Sequence, residues 1–237
     1  KEYSGSPIYR FRCWRYVQSM TMTRGTLVWV VGLLTATPLT AAPLSAQVGP
    51  QGSSVVELGL ALRQLDGVKR VLMIAAHPDD EDSSLLAALA RGMGVETAYL
   101  SLTRGDGGQN IIGPELGEGL GIIRTGELEA ARALDGARQF FTRAFDYGFS
   151  KSADEAFTHW PKEEVLRDVV SVIRTYRPQV IISVWAGTPR DGHGQHQASG
   201  ILANEAFDAA ADPGRFSDLG GFAAEPWSAD KLYHSAG

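Results

Sequence analysis

The chain has 237 residues, 44% of them hydrophobic and 21% charged, an ordinary globular composition sufficient for one domain with a full core. Its formal charge of −5 argues against nucleic acid as a partner, since that role needs a basic face, and no charge run is long enough for a disordered tail.

Near the N-terminus, Arg24 precedes an apolar run at 27–34 and a Thr/Ala/Pro-rich stretch ending in Pro43-Leu44-Ser45-Ala46-Gln47. The order basic, apolar, small is that of a secretory signal peptide, here at about residues 22–46. The apolar core is shorter than the roughly 20 residues of a membrane span, so no stable span is expected after cleavage; an uncleaved anchor is the alternative. Met20 or Met22 reads as the natural start, with upstream residues before it, and the expected location is secreted or periplasmic. Cys13, the only cysteine, falls in that upstream part. The mature chain then has neither a disulfide nor a thiolate, and any metal must be held by histidine and carboxylate.

Residues 47–68 read as a linker and a short helix with Leu58, Leu60, Leu62 and Leu65 as its apolar positions. The organised domain runs over 69–237. A continuous apolar run at 71–75 predicts a strand buried on both faces. A helix follows over 82–90, ended by Gly92 and Gly94, then a strand over 97–102. A glycine-rich loop continues from Arg104-Gly105-Asp106-Gly107-Gly108-Gln109-Asn110 to Gly121, an irregular stretch long enough to suggest function. The pattern then predicts a helix over 127–134, a short strand over 139–141, a polar loop over 146–160, a helix opened by Pro161, a strand over 180–185, a helix over 197–211 and a last strand near 231–233. Alternating strands and helices imply right-handed crossovers and an α/β fold, a Rossmann-like three-layer αβα sandwich on a mostly parallel sheet. Such sheets bind ligands beyond the carboxyl ends of their strands.

Two of those strand ends carry chemistry. The first apolar run leads into Ala76-His77-Pro78-Asp79-Asp80-Glu81, and the run at 180–185 leads into Asp191-Gly192-His193-Gly194-Gln195-His196. Zinc in hydrolases takes three ligands from histidine and carboxylate and keeps one position open. A strand-to-helix turn aims His77 and Asp80 at one point, and His196 supplies the third ligand. Asp79, between the first two, points to the other side and is free as a base for a metal-activated water. Zinc is the expected ion, although imidazole plus carboxylate suits other divalent transition metals.

With these motifs and the strand before each, the chain resembles the PIG-L (LmbE-like) family of zinc-dependent N-deacetylases over roughly 69–237. His193-Gly194-Gln195-His196 stands in place of the family's His-x-x-His element, with Gly194-Gln195 where proline and aspartate are common. The resemblance implies that His77, Asp80 and His196 bind zinc, that Asp79 is the general base, and that His193 steadies the oxyanion and can protonate the leaving amine. It implies an N-acyl, foremost N-acetyl, amino sugar or glycoconjugate as small-molecule or glycan substrate. Family members often continue past the last strand, so a further C-terminal segment is expected. The oligomeric state is not legible.

Other readings compete. A metal hydrolase of another N-acyl or ester substrate would use the same site, and an inactive carbohydrate-binding relative would keep the fold. Arg104, Asp106 and Asn110 follow the second strand on the same rim and are candidates to contact substrate, against simple turn chemistry. Glu81 either orients a ligand or favours the helix dipole. Arg124 and Glu127 read as a helix-start ion pair, and Trp185 and Trp160 as core residues or sugar platforms. Gly117-Glu118-Gly119-Leu120-Gly121 lacks the spacing and the preceding strand of a dinucleotide fingerprint.

Overall fold

The computed structural model describes residues 55–65, 69–108 and 110–235. The leader read at 22–46, Cys13, the linker at 47–54 and Gln109 of the glycine-rich loop lie outside the described residues.

Five strands, β1 (Arg70–Ala75), β2 (Glu96–Ser101), β3 (Arg138–Phe141), β4 (Val180–Ser183) and β5 (Lys231–His234), form one sheet in the order β3-β2-β1-β4-β5. Every pairing is parallel, and Ile74 of β1 stands between Leu100 of β2 and Ser183 of β4. Side chains of a strand alternate between faces. Leu72 and Ile74 accordingly join one buried cluster with Val165, Val169, Ile173 and Leu202, while Met73 and Ala75 join another with Leu86 and Leu128. The first cluster belongs to helices α5 (Lys162–Tyr176) and α6 (Gly194–Ala211), the second to α2 (Ser83–Ala87) and α3 (Glu118–Asp135). Helices on both faces make the three-layer αβα sandwich. Each such aliphatic side chain removed from water contributes about 1.5–3 kcal/mol.

The chain order explains where a ligand binds. From β1 the chain moves outward through β2 to β3, then crosses back to β4 on the other side of β1. The reversal opens a crevice beyond the carboxyl ends of β1 and β4. The loops that leave these two adjacent strands carry His77 to Glu81 and His193 to His196.

Several boundaries differ from the expected ones. Helix α1 (Val55–Leu65) forms, and Leu58, Leu62 and Leu65 share one stripe of it, yet all three are exposed. Helix α3 starts at Glu118 rather than 127, through glycines that disfavour helix. Gly121 is there for space: a Cβ would lie 3.2 Å from that of Asp106. The loop expected over 146–160 contains a helix, α4 (Ala153–His159), whose N-cap Ser152 accepts from Glu155 N while Glu155 reaches back to Lys151 N. Helix α6 starts at Gly194, not 197, with His193 as its N-cap.

Candidate metal centre

The first wall of the centre is the turn after β1. Asp80 Oδ2 folds back to accept from the backbone N–H groups of Ala76 (3.0 Å) and His77 (2.8 Å). The Tyr99 hydroxyl, from the neighbouring strand, donates to the His77 carbonyl. Asp82, not one of the earlier acids, caps α2 by accepting from Leu85 N. His77 and Asp80 are thereby released from capping and fixed at the strand end. Glu81 is tied down from behind by Arg132, which also pairs with Asp135 in a buried network. Burial raises the Glu81 carboxyl above its ordinary range against the pull of Arg132.

The second wall is the turn after β4. His193 Nδ1 accepts from Gln195 N (3.3 Å), and His196, in the first turn of α6, sets its Nδ1 3.0 Å from the Asp191 carbonyl. Asp191 is itself held by the N–H groups of Gly187 and Thr188. Gly194 explains the departure from proline at this position. Its N–H donates to Ser150 O at 2.8 Å, and a Cβ would fall 2.0 Å from Ser152 O, so neither proline nor a larger residue fits.

The two walls meet. Asp80 Oδ2 lies 3.4 Å from His77 Nδ1, and Asp80 Oδ1 lies 3.4 Å from His196 Nε2. A carbonyl only accepts, so His196 carries its hydrogen on Nδ1 and turns a lone pair toward Asp80. The ligand atoms of His77, His193 and His196 fall within 4.8 Å of one another, as do those of His77, Asp79 and Asp80. One carboxylate facing imidazole nitrogens in a half-buried pocket is a donor set that fits a divalent transition metal. Burial opposes the charge on Asp80, yet His196 and His77 hold its carboxyl far below the usual carboxylate range. Burial would lower the His77 imidazole, but the adjacent Asp80 raises it overall. His193, desolvated and next to two other imidazoles, is lowered to about 4.

Asp79 stands at the exposed edge of this group. Its side chain is 71% exposed and pairs with Arg124 Nη2 at 3.1 Å. Both border a cleft of about 690 Å³ that His77, Asp80, Asp146, Phe149, His193 and His196 also line. The cleft floor depends on a close approach at Gly107, where a Cβ would meet Asp146 O at 2.2 Å.

Among the residues expected to contact substrate, none lines this cleft. Arg104 stacks its guanidinium 4.1 Å from the Phe141 ring centre and donates to Thr125. Asp106 accepts from Asp146 N, and Asn110 organises the turn to Glu115. Arg124 pairs with Asp79 instead of Glu127. Trp160 is a core residue, whereas Trp185 lies on the His196 ring (centroids 3.8 Å apart, planes 10° apart) and donates to Asp80 Oδ2. Sequence reasoning missed Asp146, Gln195 and Arg124. The available signal for Arg124 was the glycine pair Gly105 and Gly108, which leaves space for its guanidinium.

The family model described as PIG-L: GlcNAc-PI de-N-acetylase matches residues 72–207, which contain both walls. The chain belongs to the PIG-L family. Among PIG-L relatives, it is 32% identical over 183 residues to a 1D-myo-inositol 2-acetamido-2-deoxy-alpha-D-glucopyranoside deacetylase of Geodermatophilus obscurus, covering 70% of this chain and 60% of that protein. The enzyme of the same name from Thermobispora bispora is 32% identical over 186 residues, covering 71% and 59%. The chain thus spans about three fifths of the length of these curated relatives. In three dimensions it is similar to the N,N'-diacetylchitobiose deacetylase of Pyrococcus horikoshii, with a TM-score of 0.52 and 26% identity over 70% of this chain and 58% of that one. PIG-L deacetylases are metal-dependent, in keeping with the His/Asp donor set.

Proposed function

We propose that this chain is a zinc-dependent hydrolase that removes the N-acetyl group from an amino sugar or glycoconjugate. One observation carries the reading: Asp80 sets one carboxylate oxygen 3.4 Å from His77 and the other 3.4 Å from His196, with the Arg124-paired carboxylate of Asp79 on the same cleft. The relatives named as deacetylases of an acetamido-glucopyranoside and of diacetylchitobiose support the substrate class. Among the described residues no helix is long and apolar enough to cross a membrane. The basic, apolar, small order of residues 22–46 supports export.

On this reading His77, Asp80 and His196 hold the ion. When bound, it supplies Lewis acidity toward the amide carbonyl and a water whose pKa is near 7. Asp79 takes the proton of the attacking water, and Arg124 keeps the Asp79 carboxylate at the cleft edge. His193 has Nδ1 engaged as an acceptor, which leaves Nε2–H to donate to the oxygen that gains charge in the tetrahedral species. The proton taken up by Asp79 is the one returned to the leaving amine, delivered by Asp79 itself or passed on through His193.

The test is amine release from N-acetylglucosamine glycosides, with zinc content measured on the same samples. Release that stops with a chelator and returns with zinc supports the assignment. Zinc-loaded protein that binds sugars but releases no amine identifies a carbohydrate-binding relative. Turnover of other N-acyl or ester substrates alone replaces the substrate class and keeps the centre.

A further inference from the structure

Gln195 is fully buried and stands where the family commonly has aspartate. Its Oε1 lies 2.9 Å from His77 Nε2. Its amide nitrogen donates to the Gly148 carbonyl at 2.7 Å and to Asp146 Oδ1 at 3.3 Å. Asp146 Oδ1 is anchored by Gly148 N at 2.8 Å, and Asp146 is itself buried. These partners decide the orientation of the amide. Both groups facing the nitrogen are acceptors, so turning the amide over would set oxygen against oxygen on two sides. The oxygen therefore faces His77, and His77 meets it with an N–H.

We infer that Gln195 is a positioning residue for the metal centre, which fixes His77 as the Nε2–H tautomer and so turns the Nδ1 lone pair toward Asp80 and the cation. The inference rests on the metal-centre reading above. Metal-binding histidines ordinarily receive this support from a carboxylate or a backbone carbonyl. Here a neutral amide does the same work, oriented from the far side by Asp146 and Gly148. The arrangement puts a neutral amide instead of a carboxylate in contact with His77, and it ties the loop at 146–148 to the ligand. His193 is joined to the same residue through Gln195 N. One residue thus orients an imidazole on each wall.

The experiment uses the full chain, labelled with ¹⁵N, and zinc alone as the ligand. In metal-free protein at alkaline pH, ring nitrogen shifts and couplings report which His77 nitrogen holds the hydrogen. Wild type is expected to show Nε2–H only. Gln195→Leu, which removes the acceptor, is expected to populate the Nδ1–H form and to weaken zinc binding about 10–100-fold in chelator competition. A single Nε2–H form and undiminished zinc affinity in Gln195→Leu overturn this inference while leaving the metal centre intact. Wild type that takes up no zinc removes both. Should Gln195→Leu fail to fold, the Nδ1–H form of His77 in wild type overturns the inference by itself.

Discussion

Arg124 Nη2 lies 3.1 Å from Asp79 Oδ2, so a helix on one face of the sheet grips the carboxylate that follows β1. The Asp79 carboxylate is engaged by Arg124, although one of its oxygens lies within 4.8 Å of the ligand atoms of His77 and Asp80. Asp79→Ala is therefore expected to keep zinc and to lose about 10²-fold or more in turnover, the contribution of a positioned base. Arg124→Met is expected to keep zinc and lose up to about 10²-fold, the effect of a misplaced group. Zinc content and amine release on the same preparations check both. Full activity in Asp79→Ala would remove its assignment as base.

His196 and Trp185 give a graded pair. His196→Ala removes a donor and is expected to abolish stoichiometric zinc. Trp185→Phe keeps an aromatic ring on the imidazole but deletes the N–H to Asp80 Oδ2, and a loss of about tenfold in affinity is expected. Equal zinc affinity in Trp185→Phe and wild type would show that the indole hydrogen bond does not orient Asp80.

The lowered His193 makes a prediction about pH. In metal-free protein its ring resonances should titrate with a midpoint at about 4 rather than near the ordinary 6.5. Between those values the unfolded chain binds more protons at this site than the folded one. Its contribution to stability is then full above about pH 6.5 and is lost as pH falls toward 4. The raised His77 acts in the opposite sense, in a window above 6.5. A His193 midpoint near 6.5 would contradict the desolvation argument.

Gly194→Ala places a methyl 2.0 Å from the Ser152 carbonyl oxygen, a backbone atom that cannot swing aside. Overpacking of this kind costs about 1–3 kcal/mol, measurable as a shift of the denaturation midpoint. Zinc binding should weaken with it, since Gly194 sits between His193 and Gln195. Unchanged midpoints would mean that α4 yields to the added methyl.

Arg132 is buried against Glu81 and Asp135, at side-chain exposures of 4% and 7%. Arg132→Met strands two buried carboxylates and is expected to destabilise the chain by about 3–5 kcal/mol. Replacing all three by apolar residues should recover part of that loss. A single substitution within about 0.5 kcal/mol of wild type, by denaturation, would show that the network is not a coupled unit.

Both walls were legible because each follows a continuous apolar run, and a buried parallel strand must deliver its next residues to the rim of the sheet. His77, Asp79, Asp80, His193 and His196 could be placed on that ground alone. Gln195 could not, since its three partners lie at 77, 146 and 148 and only the folded chain brings them together. Arg124 was hidden for a different reason. It reaches Asp79 from the second turn of a helix whose glycines disguise its start. Helix α4 was signalled by Ser152 and Glu155, a capping pair set in a segment too polar to show a stripe. Asn110, Asp106 and Arg104 follow the right strand but spend their polar groups on the loop itself.

Trp185 gives the centre an optical handle. Its ring plane covers His196, and its N–H ends on the oxygen shared with His77. A proton or a cation arriving between Asp80 and the imidazoles changes both the charge beneath the indole and the acceptor at its edge. Filling of the centre is therefore expected to change the emission of Trp185, the part of the signal of the five tryptophans that Trp185→Phe removes, so that occupancy can be followed without attaching a dye.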